Sequence, residues 1–341
     1  VLSVVVPVRN DPERLRACLG GLRASTLREH EVIVVDDAST DDTAEVAASL
    51  GARVIRQAER TGPAAARNRG VAEARADYVM FVDADVCVHP DTLARVMAGF
   101  AEDPRTDALF GSYDLTPGSP NFLSQYKNLF HHYVHQRAAV VASTFWSGCG
   151  AIRRGVFLEA GGFSAEYRRP AIEDIELGAR LVRAGRRIVL RKDVQATHLK
   201  RWTLGGLLKA DVWDRGVPWT ELILREGRGL PNDLNLKTAE RVSALLACAV
   251  VALALGALVG GPLPRAAWLG ALAATLVVFV AWNHEFYGFF ARARGLVFAA
   301  RVIPLHVLYY LYSIAAFAIG VARHLARRRS GTGRPGEAPA R

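Results

Sequence analysis

The distribution of charge along the chain constrains its fold more than any single motif. Three stretches, 242–263, 266–283 and 302–322, carry no Asp, Glu, Lys or Arg, and each has roughly the length, about 20 residues, that an apolar helix needs to cross a bilayer. All three lie beyond residue 240, whereas the first 200 positions mix charged and apolar residues as a soluble α/β domain does. The chain is therefore expected to form a soluble domain with its own core, followed by a membrane region. Apolar residues make up 51% of 341 positions, enough for one large core or two modest ones.

The soluble half alternates two periods. Leu2-Ser3-Val4-Val5-Val6-Pro7 is a β-branched run ended by proline, and Leu15, Cys18, Leu19 and Leu22 recur at helical spacing behind Asp11-Pro12, a cap followed by a first-turn proline. The unit repeats. A strand over 31–35 leads through Asp36-Asp37-Ala38-Ser39-Thr40 into a helix over 42–50 and a short strand at 53–55; a third helix opens at Gly62-Pro63 and delivers the chain to a strand over 78–82. Strands alternating with helices predict a mostly parallel sheet with right-handed crossovers. Its ligand site should lie where the loops after Val6, Val35 and Val82 converge. No GxGxxG follows the first strand, so a dinucleotide site lacks its fingerprint.

Those loops carry acid instead. Asp83-Ala84-Asp85 closes the strand over 78–82, and side chains i and i+2 of a strand share a face, so both carboxylates leave the same edge. Two hard oxygen donors there suit a divalent cation carrying a diphosphate; the bland alternative is a strand-end turn with two solvated acids. Asp36 and Asp37 converge on the same cleft, and the like charges require a cation or hydroxyl donors to compensate.

The formal charge of +10 does not point to nucleic acid. Residues 323–341 hold six Arg against one Glu, so a net +5 sits in a stretch rich in Gly, Pro and Ser that is expected to be a disordered tail. A basic tail beside an apolar helix reads as a membrane-surface or topology signal. The soluble half shows no basic stripe interleaved with aromatics, and no nucleic-acid partner is expected. Cys18, Cys87, Cys149 and Cys248 are isolated, without metal-ligand spacing. They read as buried apolar residues in a reducing compartment, which places the soluble domain in the cytoplasm.

Four segments in this order and spacing, Val4-Val5-Val6-Pro7-Val8-Arg9-Asn10-Asp11, Val34-Val35-Asp36-Asp37-Ala38-Ser39-Thr40-Asp41, Gly62-Pro63-Ala64-Ala65-Ala66-Arg67-Asn68-Arg69-Gly70 and Phe81-Val82-Asp83-Ala84-Asp85, resemble the family 2 glycosyltransferases of GT-A fold. The resemblance covers roughly residues 1–200. It implies a UDP- or GDP-sugar donor, with Pro7, Asp11 and Asp37 at the donor, Asp37 on the base, Arg67 on the base or diphosphate, Asp83 on the ribose, and Asp85 on Mg²⁺ or Mn²⁺. Glu173-Asp174 opens an amphipathic stretch with Ile175, Leu177, Leu181 and Val182; acids on a first helical turn are also favoured by the helix dipole alone. In the family an acid at this motif is the general base, and Asp174 is the match, with Glu173 beside it. Direct displacement by an acceptor hydroxyl would invert the anomeric centre.

Processive members carry Gln-x-x-Arg-Trp where this chain has His198-Leu199-Lys200-Arg201-Trp202. The histidine is a departure and counts against processivity. His198 either completes the metal shell, binds the diphosphate or is an ordinary interfacial histidine; Arg201 and Trp202 are assigned to the donor by the same likeness. Phe145-Trp146-Ser147-Gly148-Cys149-Gly150 resembles the segment under donor sugar and acceptor. Trp146 either stacks on a sugar or packs in the core.

Residues 202–228 interleave tryptophans and leucines with Lys209, Arg215 and Arg225, the pattern of an interfacial helix pair on lipid headgroups. Residues 122–136, with His131, His132 and His135, are a possible second amphipathic contact; the histidines lack convergent acids and are not read as a zinc site. The expected organisation is a catalytic domain over 1–200, an interfacial segment over 201–238, a multi-pass membrane region over 239–322 and a basic tail over 323–341. Because the interfacial segment directly follows His198, a lipid-linked acceptor is expected, transferred to by a membrane-anchored inverting enzyme; the alternative is a polyprenyl-phosphate glycosyltransferase. One conflict stands. Three full spans starting from a cytoplasmic domain put the arginine-rich tail outside, against the positive-inside rule, so one segment is re-entrant or interfacial or the count differs. Residues 286–301 read as interfacial.

Overall fold

The computed structural model describes residues 1–227, 238–260 and 263–329. They divide into two compact units, Val1–Leu204 and Gly205–Arg341, with the boundary just past the expected one at residue 200.

In the first unit the expected strands form as β1 (Leu2–Val8), β2 (His30–Asp36), β3 (Arg53–Arg56) and β4 (Tyr78–Val82), joined by helices α1 (Pro12–Arg23), α2 (Thr43–Ser49) and α3 (Pro63–Glu73). These four strands pair in parallel in the order β3-β2-β1-β4. The unbroken apolar run of β1 has its reason in that arrangement, because both faces are covered. Val4 and Val6 join the cluster containing Leu15, Cys18 and Leu19 of α1, while Gly70 of α3 lies so close to Val5 on the other face that a Cβ there would sit 2.3 Å from a valine methyl.

The chain continues through β5 (Val86–Val88), α4 (Thr92–Glu102), β6 (Ala108–Tyr113), α5 (Phe122–Arg137), β7 (Cys149–Arg153), α6 (Arg154–Glu159), α7 (Glu173–Arg183) and β8 (Ile188–His198), extending the sheet to β3-β2-β1-β4-β7-β6-β8-β5. β7 runs antiparallel to β4, with Val82 opposite Cys149, and β8 runs antiparallel to β5, with Val86 opposite His198. The end of β4, the start of β7 and the end of β8 therefore meet at one sheet edge. Helix α5, considered above as a second membrane contact, instead packs on β6: His132 Nδ1 lies 2.7 Å from the Tyr113 carbonyl and His135 Nδ1 3.1 Å from that of Gly111. Its histidines serve the sheet rather than a bilayer.

The second unit opens with one continuous helical run, α8 (Leu204–Leu208), a π-helical stretch over Lys209–Gly216 and α9 (Val217–Glu226). It continues with α10 (Thr238–Val259), α11 (Arg265–Trp282), α12 (His284–Arg294) and α13 (Leu296–Arg329). Among the described residues α10, α11 and α13 are long and apolar enough to cross a membrane. Gly295, at φ 87°, separates α12 from α13 inside the segment read as interfacial. α13 runs through Pro304 and on to Arg329, so residues 323–329 are helical where a disordered tail was expected; the remainder of that tail lies outside the described residues.

Candidate active site

The loops after β1 and β2 are tied to each other. Asp37 N–H donates to the Val8 carbonyl (2.9 Å), Asn10 N–H to Ser39 Oγ (2.9 Å) and Thr40 N–H to Asn10 Oδ1 (2.8 Å). Asn10 and Ala38 hold φ of 51° and 55°, a left-handed conformation costly for alanine and of the kind that collects at ligand sites. Pro7 sits within β1 opposite Val35. Asp11 caps α1 and is taken up by Arg14, whose Nε lies 3.0 Å from Oδ1 and whose guanidinium also reaches Oδ2 at 2.8 Å. The buried Asp37 carboxylate accepts from Thr61 N–H (2.7 Å) and Gly62 N–H (2.9 Å), fixing the turn into α3. Glycine is required at 62 twice over: its φ is 93°, and a Cβ would fall 2.5 Å from the Arg168 carbonyl oxygen.

Arg67 of α3 is buried between two acids. Its Nη2 lies 2.6 Å from Asp83 Oδ1 and its Nη1 2.8 Å from Glu173 Oε1, and the guanidinium lies 5.6 Å from the Phe163 ring centroid. Burial alone would lower its pKa; Asp83, Glu173 and Asp174 outweigh that and raise it. Glu173 spends its other oxygen on the Ala171 N–H (2.9 Å). Arg67 thus joins the end of β4 to the start of α7, and Glu173 is committed to that junction.

Asp85 is held differently. Its Oδ2 lies 3.6 Å from His198 Nε2 and 4.0 Å from an Arg14 nitrogen, and its carbonyl accepts from Leu199 N–H (2.8 Å). Burial would raise this carboxyl, yet His198, Lys200 and Arg14 hold it well below the usual carboxylate range. His198 stacks on Tyr113 at 4.4 Å with an interplanar angle of 7°. Among the described residues no cluster of three or more His, Cys, Asp or Glu side chains is arranged to hold an ion. Two converging donors nonetheless fit a cation that draws its remaining ligands from water and a donor diphosphate, as small divalent ions do.

Asp174, on the first turn of α7, is half-buried and faces the segment leading into β7. Its Oδ2 accepts from Ser147 N–H (3.0 Å) and Ser147 Oγ (3.2 Å), and its Oδ1 from Ile175 N–H (2.8 Å). The approach depends on Gly178, one turn on, where a Cβ would lie 2.4 Å from the Phe145 amide. Gly148, next to Ser147, accepts from the Asp83 N–H at 3.3 Å. Asp83 and Asp174 are thereby linked twice, through Arg67 with Glu173 and through residues 147–148. Trp146 is half-buried and packs beside Tyr113, His131 and His135 at 4.8, 4.7 and 5.5 Å. Arg201 is exposed. Trp202 is buried, donating its backbone N–H to Ser124 Oγ (2.7 Å) and accepting on its carbonyl from Asn121 Nδ2 (2.8 Å) at the start of α5, with Lys200 4.3 Å from its ring.

Sequence reasoning missed Arg14, Tyr113, Lys200 and Gly178. The pairing of Asp11 with Arg14 at i,i+3 was a readable signal for the first, and a glycine inside an amphipathic helix for the last. Tyr113 and Lys200 had no local signature, because their relevance comes from β6 and β8 lying side by side.

Residues 3–161 match the family model for glycosyl transferase family 2. The chain is 30% identical over 174 residues to a PGL/p-HBAD biosynthesis glycosyltransferase of Mycobacterium bovis, covering 49% of this chain and 65% of that protein, and 36% identical over 107 residues to the uncharacterized glycosyltransferase YibD of Escherichia coli, covering 30% and 31%. These matches span 31% and 65% of the relatives' own lengths. Among solved structures, a mannosyltransferase of Pyrobaculum calidifontis in complex with GDP-Man and Mn²⁺ aligns with TM-score 0.61 at 20% identity, covering 93% of this chain and 86% of that one. TarS 1–349 of S. aureus in complex with UDP-GlcNAc aligns with TM-score 0.50 at 19% identity, covering 97% and 92%. The sheet order, the acidic strand edge and the matched model agree, and the first unit carries a glycosyl transferase family 2 domain of GT-A-like fold.

Proposed function

We propose that this protein is a membrane-anchored, inverting glycosyltransferase that moves one sugar from a UDP- or GDP-linked donor to a hydroxyl of a lipid-linked or membrane-proximal acceptor. The observation that carries the reading is the double link between the Asp83-Ala84-Asp85 edge and Asp174, which sets two acids of different surroundings on one sheet edge. Asp174 is the general base. It sits half-buried on the first turn of α7 and is oriented by Ser147 N–H and Oγ. An alcohol is a weak nucleophile at neutral pH, so a positioned carboxylate that takes its proton as the C–O bond forms speeds the attack. Glu173 and Arg67 are positioning residues for that carboxylate, and Asp83 retains its half-exposed side for a donor hydroxyl.

Asp85 and His198 are the residues that would hold Mg²⁺ or Mn²⁺, an ion that neutralises the departing diphosphate when bound. Arg14 and Lys200 add positive charge on the same side of Asp85. The structure of the P. calidifontis enzyme with GDP-Man and Mn²⁺ supports this assignment by its fold. The interfacial pattern of residues 202–228, which follow His198 directly in the chain, supports an acceptor carried by the bilayer.

One observation favours a second reading. Arg168 and Arg169 are exposed on the loop that leads into α7, and cations there suit an acceptor that is itself a phosphate, as in a polyprenyl-phosphate glycosyltransferase. Full-length protein in detergent, incubated with a panel of nucleotide sugars and a membrane lipid extract, tests both. A product linked through a hydroxyl and lost in Asp174→Asn supports the first; a phosphate-linked product still formed by Asp174→Asn, whose nucleophile needs no base, supports the second.

A further inference from the structure

The helical run over residues 204–226 carries Lys209, Asp211, Asp214, Arg215, Glu221, Arg225 and Glu226. Seven ionised side chains in so short a run keep it out of the hydrocarbon core. Yet it packs along α13, a helix long and apolar enough to span. Tyr312 Oη donates to Asp211 Oδ2 at 2.7 Å; Gly216 meets Ala316, and Gly320 meets Thr220, so closely that a glycine Cβ would lie 2.8 Å and 2.5 Å away. Arg327 pairs with Glu221 at 2.7 Å. The partners 211, 216 and 220 advance in step with 312, 316 and 320, so the two helices run side by side in the same direction. Whatever side of a bilayer holds the charged run also holds the second half of α13.

The first half of α13 is tied to the same level. Tyr310 Oη donates to Glu240 Oε2 at 2.7 Å in the first turn of α10, and His306 and Tyr310 pack on Phe279 in the last turn of α11. α10 and α11 form an antiparallel hairpin. Ser243 Oγ bonds Asn283 Oδ1 at 3.0 Å at one end, and Gly256 seats the Trp268 ring at the other. Their 22 and 18 residues correspond to about 33 Å and 27 Å of helix, which bracket the thickness of a hydrocarbon core, about 30 Å. Their outer surfaces are apolar: Leu245, Leu258, Val259 and Val277 are all more than two-thirds exposed.

We infer that α10 and α11 are the crossing elements, and that α13 lies in the interface with the run over 204–226 as a two-helix platform on the bilayer surface at the open end of the hairpin. Ile314, Phe317, Leu325 and Trp213 are 40%, 41%, 52% and 49% exposed and give the two helices apolar surface for a bilayer to cover. Arg323, Arg327 and Arg328 then remain on the side from which the chain enters at Gly205. An even number of crossings removes the conflict with the positive-inside rule that three spans create.

The test is cysteine accessibility in the full-length chain, in a Cys87→Ala, Cys248→Ala background, with a membrane-impermeant maleimide applied to sealed vesicles of each orientation. Three single variants are compared: Arg105→Cys, 80% exposed in the first unit, Leu263→Cys, 53% exposed at the hairpin turn, and Arg328→Cys at the end of α13. Arg105→Cys and Arg328→Cys should label in the same vesicles, and Leu263→Cys in the opposite ones. Labelling of Arg328→Cys together with Leu263→Cys would make α13 a third span and overturn the inference; labelling of all three from one side would overturn the crossing hairpin.

Discussion

Asp83 and Asp85 stand two residues apart on one strand edge and live in different electrostatic worlds. Asp83 meets Arg67 at 2.6 Å, and the far side of that guanidinium meets a buried Glu173 at 2.8 Å. Asp85 has His198 Nε2 and an Arg14 nitrogen at 3.6 and 4.0 Å, beyond hydrogen-bonding range, and its carboxyl is nevertheless held well below the usual carboxylate range. The first arrangement is closed: charge is matched at contact distance inside the protein. The second has slack that a ligand can take up. On the proposed reading the Arg67–Asp83–Glu173 group holds the site together, and Asp85 is left to meet a ligand.

Asp174 tests that distinction most severely, because its carboxylate accepts from Ser147 N–H and Oγ and from Ile175 N–H while standing next to the Arg67–Glu173 junction. Asp174→Asn should lower transfer by about 100- to 10,000-fold, the usual contribution of a general base, while binding of a nucleotide sugar, read by calorimetry, stays near wild type. Loss of donor binding in parallel would place Asp174 among the structural acids.

Glu173 should behave in the opposite way. Glu173→Gln removes one of the two acids that the buried Arg67 meets at contact distance and leaves it Asp83, so it should depress the thermal midpoint of the detergent-solubilised protein. What activity survives should keep its metal response. A variant of normal stability and no activity would reassign Glu173 to the chemistry. Asp85→Ala is the counterpart: activity should fall at least about 100-fold, disappear in EDTA and return in wild type with Mn²⁺ or Mg²⁺, with little change in the thermal midpoint. Full wild-type activity in chelator would break the assignment of Asp85 and His198.

Much of this was readable from sequence, for reasons visible at particular residues. The run 4–6, the proline after Asp11 and the Gly62-Pro63 start are local signals, and β1 to β4 with α1 to α3 formed where those signals placed them. β5, β6 and β7 were not anticipated. β5 has only three residues, and β7 is recognisable only once it lies antiparallel to β4. The same limit applies to the site. Asp83, Asp85, Asp174 and His198 announce themselves by type and position, whereas the commitment of Glu173 to Arg67 spans 106 residues of sequence and depends on two helices meeting. Residues 122–136 misled because an amphipathic face looks the same whether it meets a sheet or a bilayer.

Trp213 and Trp219 sharpen the comparison from outside the first unit. Replacing both by serine should reduce transfer to acceptors in lipid vesicles more than hydrolysis of the donor, since only the former requires docking at headgroups. Equal losses in both reactions would show that the interfacial run acts only as a tether.

The smallest effect on activity is expected at Asp114, a buried acid outside the Asp85 group that is closed by hydrogen bonds rather than by an arginine. Its carboxylate accepts from Thr197 Oγ1, from Thr116 N–H and Oγ1 at 2.9 Å each, and lies 2.8 Å from His89 Nε2. Burial would raise its pKa, and the bonds from Thr197, His89 and Thr116 outweigh that and lower it. A carboxyl whose folded pKa lies below its unfolded value of about 3.9 contributes its full stabilisation above that pH and loses it as pH falls through the folded value. Asp114→Asn should therefore lower the thermal midpoint at neutral pH, by the roughly 1–3 kcal/mol that goes with an unmatched buried polar group, and flatten the acid limb of stability below pH about 4. Transfer and donor hydrolysis should stay in their wild-type ratio. If that ratio changes, the closed acids of this sheet are not separable from the site, and the division drawn between Asp83 and Asp85 does not extend beyond the strand edge that suggested it.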